Sequence, residues 1–119
     1  MIKLKTEPRE HRMIPMGLSP EILLGLIVAD GCAVDCGWAG VRLTSGTDGR
    51  HNPKSKHYRG DAVDMTLWSR SNDRPERGAY EPFVGRLQAR LGPDYDVVLE
   101  QVGDPPTVWV HLEYDPKGR

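Results

Sequence analysis

Two β-prone runs, Tyr95 to Glu100 and Thr107 to Glu113, flank the segment Gly103-Asp104-Pro105-Pro106. β-branched and aromatic residues mark each run as a strand, the second of them alternating as well, and Gly, Asp and Pro together mark a turn. The pair is therefore expected to fold as an antiparallel hairpin. Centring the turn on residues 103–106 sets the register: Gln101 opposite Val108, Glu100 opposite Trp109, Val98 opposite His111. Side chains alternate between faces along a strand, so Trp109, His111 and Glu113 should share a face with Glu100. Glu100 then lies diagonal to His111, and a slip of one residue would turn it away.

The rest of the chain supplies layers for this hairpin to join. Leu18-Ser19-Pro20-Glu21 is a helix start, with Ser19 as N-cap, Pro20 at the first helical position and Glu21 in the first turn. Ile22, Leu23, Leu26, Ile27 and Ala33 give that helix an apolar face, and Gly31 with Gly37-Trp38-Ala39-Gly40 should end it. Val41 to Thr44 reads as a strand. Ser45 to Lys56 is a polar loop long enough to line a site. Ala62 to Leu67 is a short apolar run, expected to be the central buried strand. Ser69 to Gly78 reads as a charged surface loop. Tyr80 to Leu91 reads as a second helix with Phe83, Val84, Leu87 and Leu91 on one face, stopped by Gly92-Pro93-Asp94.

Residues 1–17 show no clear period and are expected to form an arm, or an edge strand at Arg12 to Met16. The 119 residues suit one domain, 1–119. Its class is α+β: two main helices packed on a small antiparallel sheet.

A net charge of −1 gives no global basic field, so neither nucleic acid nor an anionic membrane surface is an expected partner. The longest apolar run, Ile22 to Ala29, is far too short to span a bilayer. The start of the chain does not fit a signal peptide, and a protein cytoplasmic as synthesised is expected. Cys32 and Cys36, without a second pair, make a poor zinc or redox motif. They are expected to be free thiols near a helix end.

One further stretch carries chemistry: Ser55-Lys56-His57-Tyr58-Arg59-Gly60-Asp61-Ala62-Val63-Asp64. A loop imidazole at His57 and a strand carboxylate at Asp64 can converge on one cation when the loop folds back over the strand. Imidazole nitrogen and carboxylate oxygen suit zinc, which at catalytic sites takes three protein ligands and leaves one position for water. His111, inside the strand-like Val108 to Tyr114, offers the third.

The pattern Ser-x-His-x-x-Gly-x-Ala-x-Asp, followed by a strand-borne His, resembles the zinc D-Ala-D-Ala carboxypeptidase and endopeptidase family, which has the Hedgehog/DD-peptidase fold. Val41 to His51 is similar to the family's strand and Ser-Gly turn. Tyr95 to Glu100 and Val110 to Pro116 are similar to its closing hairpin, which in phage-type members often ends His-x-Glu-Tyr-Asp-Pro. The likeness spans Ser19 to Pro116. It implies a zinc-dependent peptidase acting on the peptides of bacterial peptidoglycan, either trimming carboxy-terminal residues or cleaving internally. It also implies a phage or prophage source, action on the wall after phage-type release or from a virion, and a monomer.

The resemblance assigns the zinc to His57, Asp64 and His111; His51, in the same loop but outside the motif, is the other histidine to weigh. The bound ion would bring the pKa of its water to about 7 and polarise the scissile carbonyl. The family's general base usually stands three residues before the last His, a position held here by Val108. Glu100 is the expected replacement across the hairpin, with Asp104 and Glu113 as rivals. Ser55 matches the family's substrate-binding Ser, and Arg50 is expected to hold the peptide's carboxylate, with Arg42 and Arg59 as alternatives. Asp48 would brace the loop, and Tyr58 and Trp109 would line the cleft. Val108 also supports an alternative: a zinc-binding structural or wall-recognition module on the same fold that hydrolyses nothing.

Overall fold

The structure, a computed structural model, describes residues 1–5, 17–46, 60–71 and 74–117. Ser19 caps the first helix as its position predicts. Its hydroxyl accepts the Ile22 N–H at 3.2 Å, and Pro20 begins α1 (Pro20–Asp35). The helix passes through Gly31 and closes six residues later in a Schellman motif. Gly37 takes φ +92°, its N–H donates to Val34, and the Trp38 N–H donates to Ala33, both at 3.0 Å.

Around α1 the chain runs β1 (Lys3–Leu4), β2 (Gly40–Ser45), β3 (Ala62–Trp68), α2 (Arg77–Leu91), β4 (Tyr95–Val102) and β5 (Thr107–Tyr114). The strands form one five-stranded sheet in the order β1-β2-β3-β5-β4. Every neighbouring pair is antiparallel except β1 and β2, which are parallel, so the sheet is mixed rather than antiparallel as expected. The extra strand is Lys3–Leu4, too short for any period to show in sequence. The arm at Arg12 to Met16, and the loop from Ser45 to Lys56 beyond Gly46, lie outside the described residues. Helix α2 starts at Arg77, within the stretch read as loop, because its N-cap Glu76 makes no side-chain capping bond and leaves no signal.

Both helices pack on one face of the sheet. Ile22, Leu26, Ala29 and Ala33 of α1 and Tyr80, Phe83 and Leu87 of α2 meet Val41, Leu43, Val63, Met65, Val110 and Leu112 from the strands, all nearly or fully buried. Full burial of one such large apolar side chain is worth about 1.5–3 kcal/mol. Leu23 and Ile27 do not join this core; they are 48% and 66% exposed. The side of α1 that faces the sheet carries small residues, which allow close approach. A Cβ on Gly25 would stand 3.1 Å from Leu112 Cδ2 and 3.3 Å from Tyr95 Cε2.

The opposite face of the sheet carries the polar members of the alternation. β3 alternates from Val63, with Asp64, Thr66 and Trp68 half-buried between fully buried Val63, Met65 and Leu67. Toward one end the sheet divides. Pairing of β3 with β5 stops at Met65–Val110, whereas β2–β3 pairing continues to Gly40–Trp68 and β4–β5 pairing to Val102–Thr107. Tyr80, 1% exposed, occupies the base of the fork, and its hydroxyl accepts the Leu67 N–H at 3.2 Å. Burial pushes the Tyr80 phenol's pKa up, so it stays neutral.

One side chain fixes β4 on α2. The Gln88 amide nitrogen donates to the carbonyls of Tyr95 at 2.7 Å and Gly92 at 3.0 Å, and its oxygen accepts the Val97 N–H at 3.0 Å. The Tyr95 hydroxyl in turn donates to the Glu21 carbonyl at 2.8 Å. The strand bearing Glu100 is thus tied to both helices.

Candidate metal centre

The register of β3 on β5 places Asp64 directly opposite His111. Their side chains, 47 residues apart in sequence, meet at 3.0 Å between Asp64 Oδ1 and His111 Nδ1. Each is about one-fifth exposed, 20% and 19%. On its other side Asp64 faces Ser45, across a bulge where Thr44 is the extra residue of β2. The second ring nitrogen of His111, Nε2, lies 3.3 Å from Glu113 Oε1. An imidazole between two carboxylates binds its proton tightly. The hydrogen bond to Asp64 raises the His111 pKa, burial opposes this, and Glu113 and the charges of Asp64 and Glu100 add to it, giving about 9.

This pair fits two of three zinc ligands. Donors about 2.0–2.2 Å from a tetrahedral ion stand roughly 3.3 Å from each other, and Asp64 Oδ1 and His111 Nδ1 are 3.0 Å apart. With His111 binding through Nδ1, Glu113 would hold the other ring nitrogen, the usual second partner of a metal-binding histidine. His57, the third expected ligand, lies outside the described residues, as do Ser55, Arg50, His51, Asp48, Tyr58 and Arg59. The motif's described end is anchored: the Ser19 N–H donates to the Gly60 carbonyl at 2.9 Å. Gly60 takes φ +74°, and a Cβ there would overlap the Gly17 carbonyl.

The hairpin has the register read from its turn: Gln101 opposite Val108, Glu100 opposite Trp109, Val98 opposite His111. Glu100 is therefore diagonal to His111 on the open face, and its charge contributes to the raised pKa of the imidazole. The two rivals separate by position. Glu113 is engaged with His111. Asp104 sits in the turn beyond the Val102–Thr107 pair, and Thr107 is itself about 13 Å along β5 from His111 at the rise of an extended chain.

Asp96, Glu113 and Asp115 form a second carboxylate group, with one oxygen from each within 4.8 Å of the others. The Lys117 ammonium lies against it, 3.0 Å from Asp96 and 2.9 Å from Asp115. That lysine supplies the countercharge a cation would otherwise bring. The sequence reading missed this cluster because Asp96 and Asp115 come together only through the β4–β5 pairing.

From Asp64 an open cleft of about 910 Å³ runs into the fork between β3 and β5. Lys3, Lys5, Arg42, Arg74, Trp68 and Trp109 are among the residues that line it. Among the described residues no helix is long and apolar enough to cross a membrane. The chain matches no protein-family model, no curated protein and no solved structure.

Proposed function

We propose that this chain is a zinc-dependent peptidase that hydrolyses peptide bonds of bacterial peptidoglycan, of the D-Ala-D-Ala carboxypeptidase or endopeptidase type, on a Hedgehog/DD-peptidase-like fold. The observation that carries the reading is the meeting of Asp64 and His111 at 3.0 Å at the head of an open cleft. His57, Asp64 and His111 would hold the ion, with His57 supplied by the sequence resemblance. Zinc bound there contributes Lewis acidity, which activates water and polarises a peptide carbonyl.

The remaining work belongs to the chain's own side chains. Glu100, on the same face as His111, takes a proton from the attacking water and returns it to the leaving amine. Glu113 orients the His111 ring. Ser55 and Arg50, by the resemblance, hold the substrate's carbonyl and terminal carboxylate. The protein acts as a monomer, made in the cytoplasm and reaching the wall by phage-type release or within a virion.

Zinc-loaded protein incubated with purified cell walls should release new amino groups. Glu100→Gln should lower that rate by about a hundredfold or more while zinc stays bound. A wild-type protein that binds zinc and walls but releases no amino groups would support a second reading, a wall-recognition module without hydrolysis. Val108, standing where the family has its carboxylate, favours that reading.

A further inference from the structure

We propose that the cleft leading away from Asp64 is a binding site for acidic peptides, in which Arg42 and Arg74 take a carboxylate of the bound chain. As a statement about substrate it rests on the proposed peptidase reading; as a binding site it stands on the cleft alone.

The charge distribution is the first argument. Lys3, Lys5, Arg42 and Arg74 line one cleft in a chain whose net charge is −1, so this concentration of positive charge is local. Among the described residues Lys5, Arg42 and Arg74 have no ion pair, whereas Arg90 pairs with Asp35 at 2.9 Å and Lys117 with Asp96 at 3.0 Å. Lys3 sits over the Trp68 ring, 4.4 Å from its centroid. Among the described residues the one acid lining the cleft is Asp64, at its end and already engaged with His111. Cations gathered in a concave site, with no carboxylate among the described residues paired to Lys5, Arg42 or Arg74, favour an anionic ligand.

Position gives the spacing. Arg42 is opposite Thr66, and Lys3 is opposite Arg42, so both lie on the row two residues beyond Asp64. With strands about 4.8 Å apart and a rise of about 3.3 Å per residue, their Cα atoms stand roughly 8 and 12 Å from that of Asp64. An extended peptide reaching Asp64 would present a side chain or terminus to these cations two to four residues away.

The walls favour a peptide over a nucleic acid strand. Beyond Met65 and Val110 the facing edges of β3 and β5 are unpaired with each other and border the cleft. The Leu67 N–H there is taken by the Tyr80 hydroxyl; the remaining main-chain groups of these edges suit an extended peptide backbone. Half-buried Trp68 and Trp109 add flat apolar surface.

The test is binding to the full chain, with and without zinc, followed by calorimetry at low and moderate salt. The probes are capped tri-glutamate, capped tri-glutamine and a ten-nucleotide oligothymidylate. Tri-glutamate should bind about tenfold or more tighter than tri-glutamine, the scale of one charge-assisted hydrogen bond, with an advantage that shrinks as salt rises. Arg42→Gln with Arg74→Gln should remove that advantage and leave tri-glutamine binding unchanged. Arg74→Glu alone, at an exposed position outside the strands, should weaken tri-glutamate even if the double variant fails to fold. Equal affinity for the two peptides, tighter binding of the oligonucleotide, or indifference to Arg74→Glu would overturn the inference. Charge preference without zinc-dependent hydrolysis would remove the peptidase reading and keep the site. Hydrolysis without charge preference would do the reverse.

Discussion

Replacing Gln88 with Met tests how the strand bearing Glu100 is held. Met keeps the length and most of the volume of the side chain, so no sizeable cavity forms, but all three hydrogen bonds to Gly92, Tyr95 and Val97 are lost. A net contribution of about 1 kcal/mol per bond, discounted because Gln88 is only half-buried and water can replace part of it, gives about 2–3 kcal/mol. For 119 residues the unfolding entropy near 60 °C is about 0.25 kcal/mol/K, so the melting temperature should fall by roughly 8–12 °C. Calorimetry measures the shift, and hydrogen exchange at the Val97 amide should accelerate. If the proposed peptidase reading holds, turnover should drop while zinc affinity stays, because β4 carries Glu100 and none of the proposed ligands. Arg86→Met, two residues away and exposed, with its Asp35 contact as long as 4.0 Å, should stay within about 0.5 kcal/mol of wild type. A Gln88→Met protein that melts with wild type would refute this account of β4.

Two other outcomes follow from the geometry. In the zinc-free protein His111 should titrate near 9 against 6.5 when unfolded. Because the folded value is the higher, the stability it contributes is fully present below pH 6.5 and is lost as pH rises through 9; nuclear magnetic resonance should show Asp64→Asn bringing the titration down toward 6.5, and a wild-type value already at 6.5 would contradict the contact. Tyr80→Phe leaves the Leu67 N–H at the fork without its acceptor and should cost about 1–3 kcal/mol in denaturant unfolding, whereas an unchanged midpoint would mean that water replaces the hydroxyl freely.

The parts of the fold that could be read from sequence are those with local signals. The Gly103–Pro106 turn and the β-prone runs around it gave the hairpin register, and with it the position of Glu100 relative to His111. Ser19 and Pro20 gave the start of α1 in the same way. Tertiary packing decided the rest. Helix α1 is apolar nearly all round, so periodicity could not choose its buried face. The small residues Gly25, Ala29 and Ala33 chose it by letting the helix approach β5, leaving Leu23 and Ile27 outside. The pairing of Asp64 with His111 depends on β5 inserting beside β3 rather than at the sheet edge, which no local pattern announces. Glu113 likewise read as a rival base until its contact with the second nitrogen of His111 gave it an orienting role. The split of the sheet around Tyr80 left no sequence signature, since a buried tyrosine on a helix looks the same whether it fills a core or wedges a fork.

Zinc absorption spectroscopy on the loaded protein, beside its Asp64→Asn and His111→Ala variants, tests the centre most directly. Wild type should hold one zinc per chain with two imidazole nitrogens and a carboxylate oxygen among its ligands, and each variant should lose an atom from that shell and bind the metal far more weakly. Zinc held equally well, with an unaltered shell, after both substitutions would place the ion elsewhere and contradict the account.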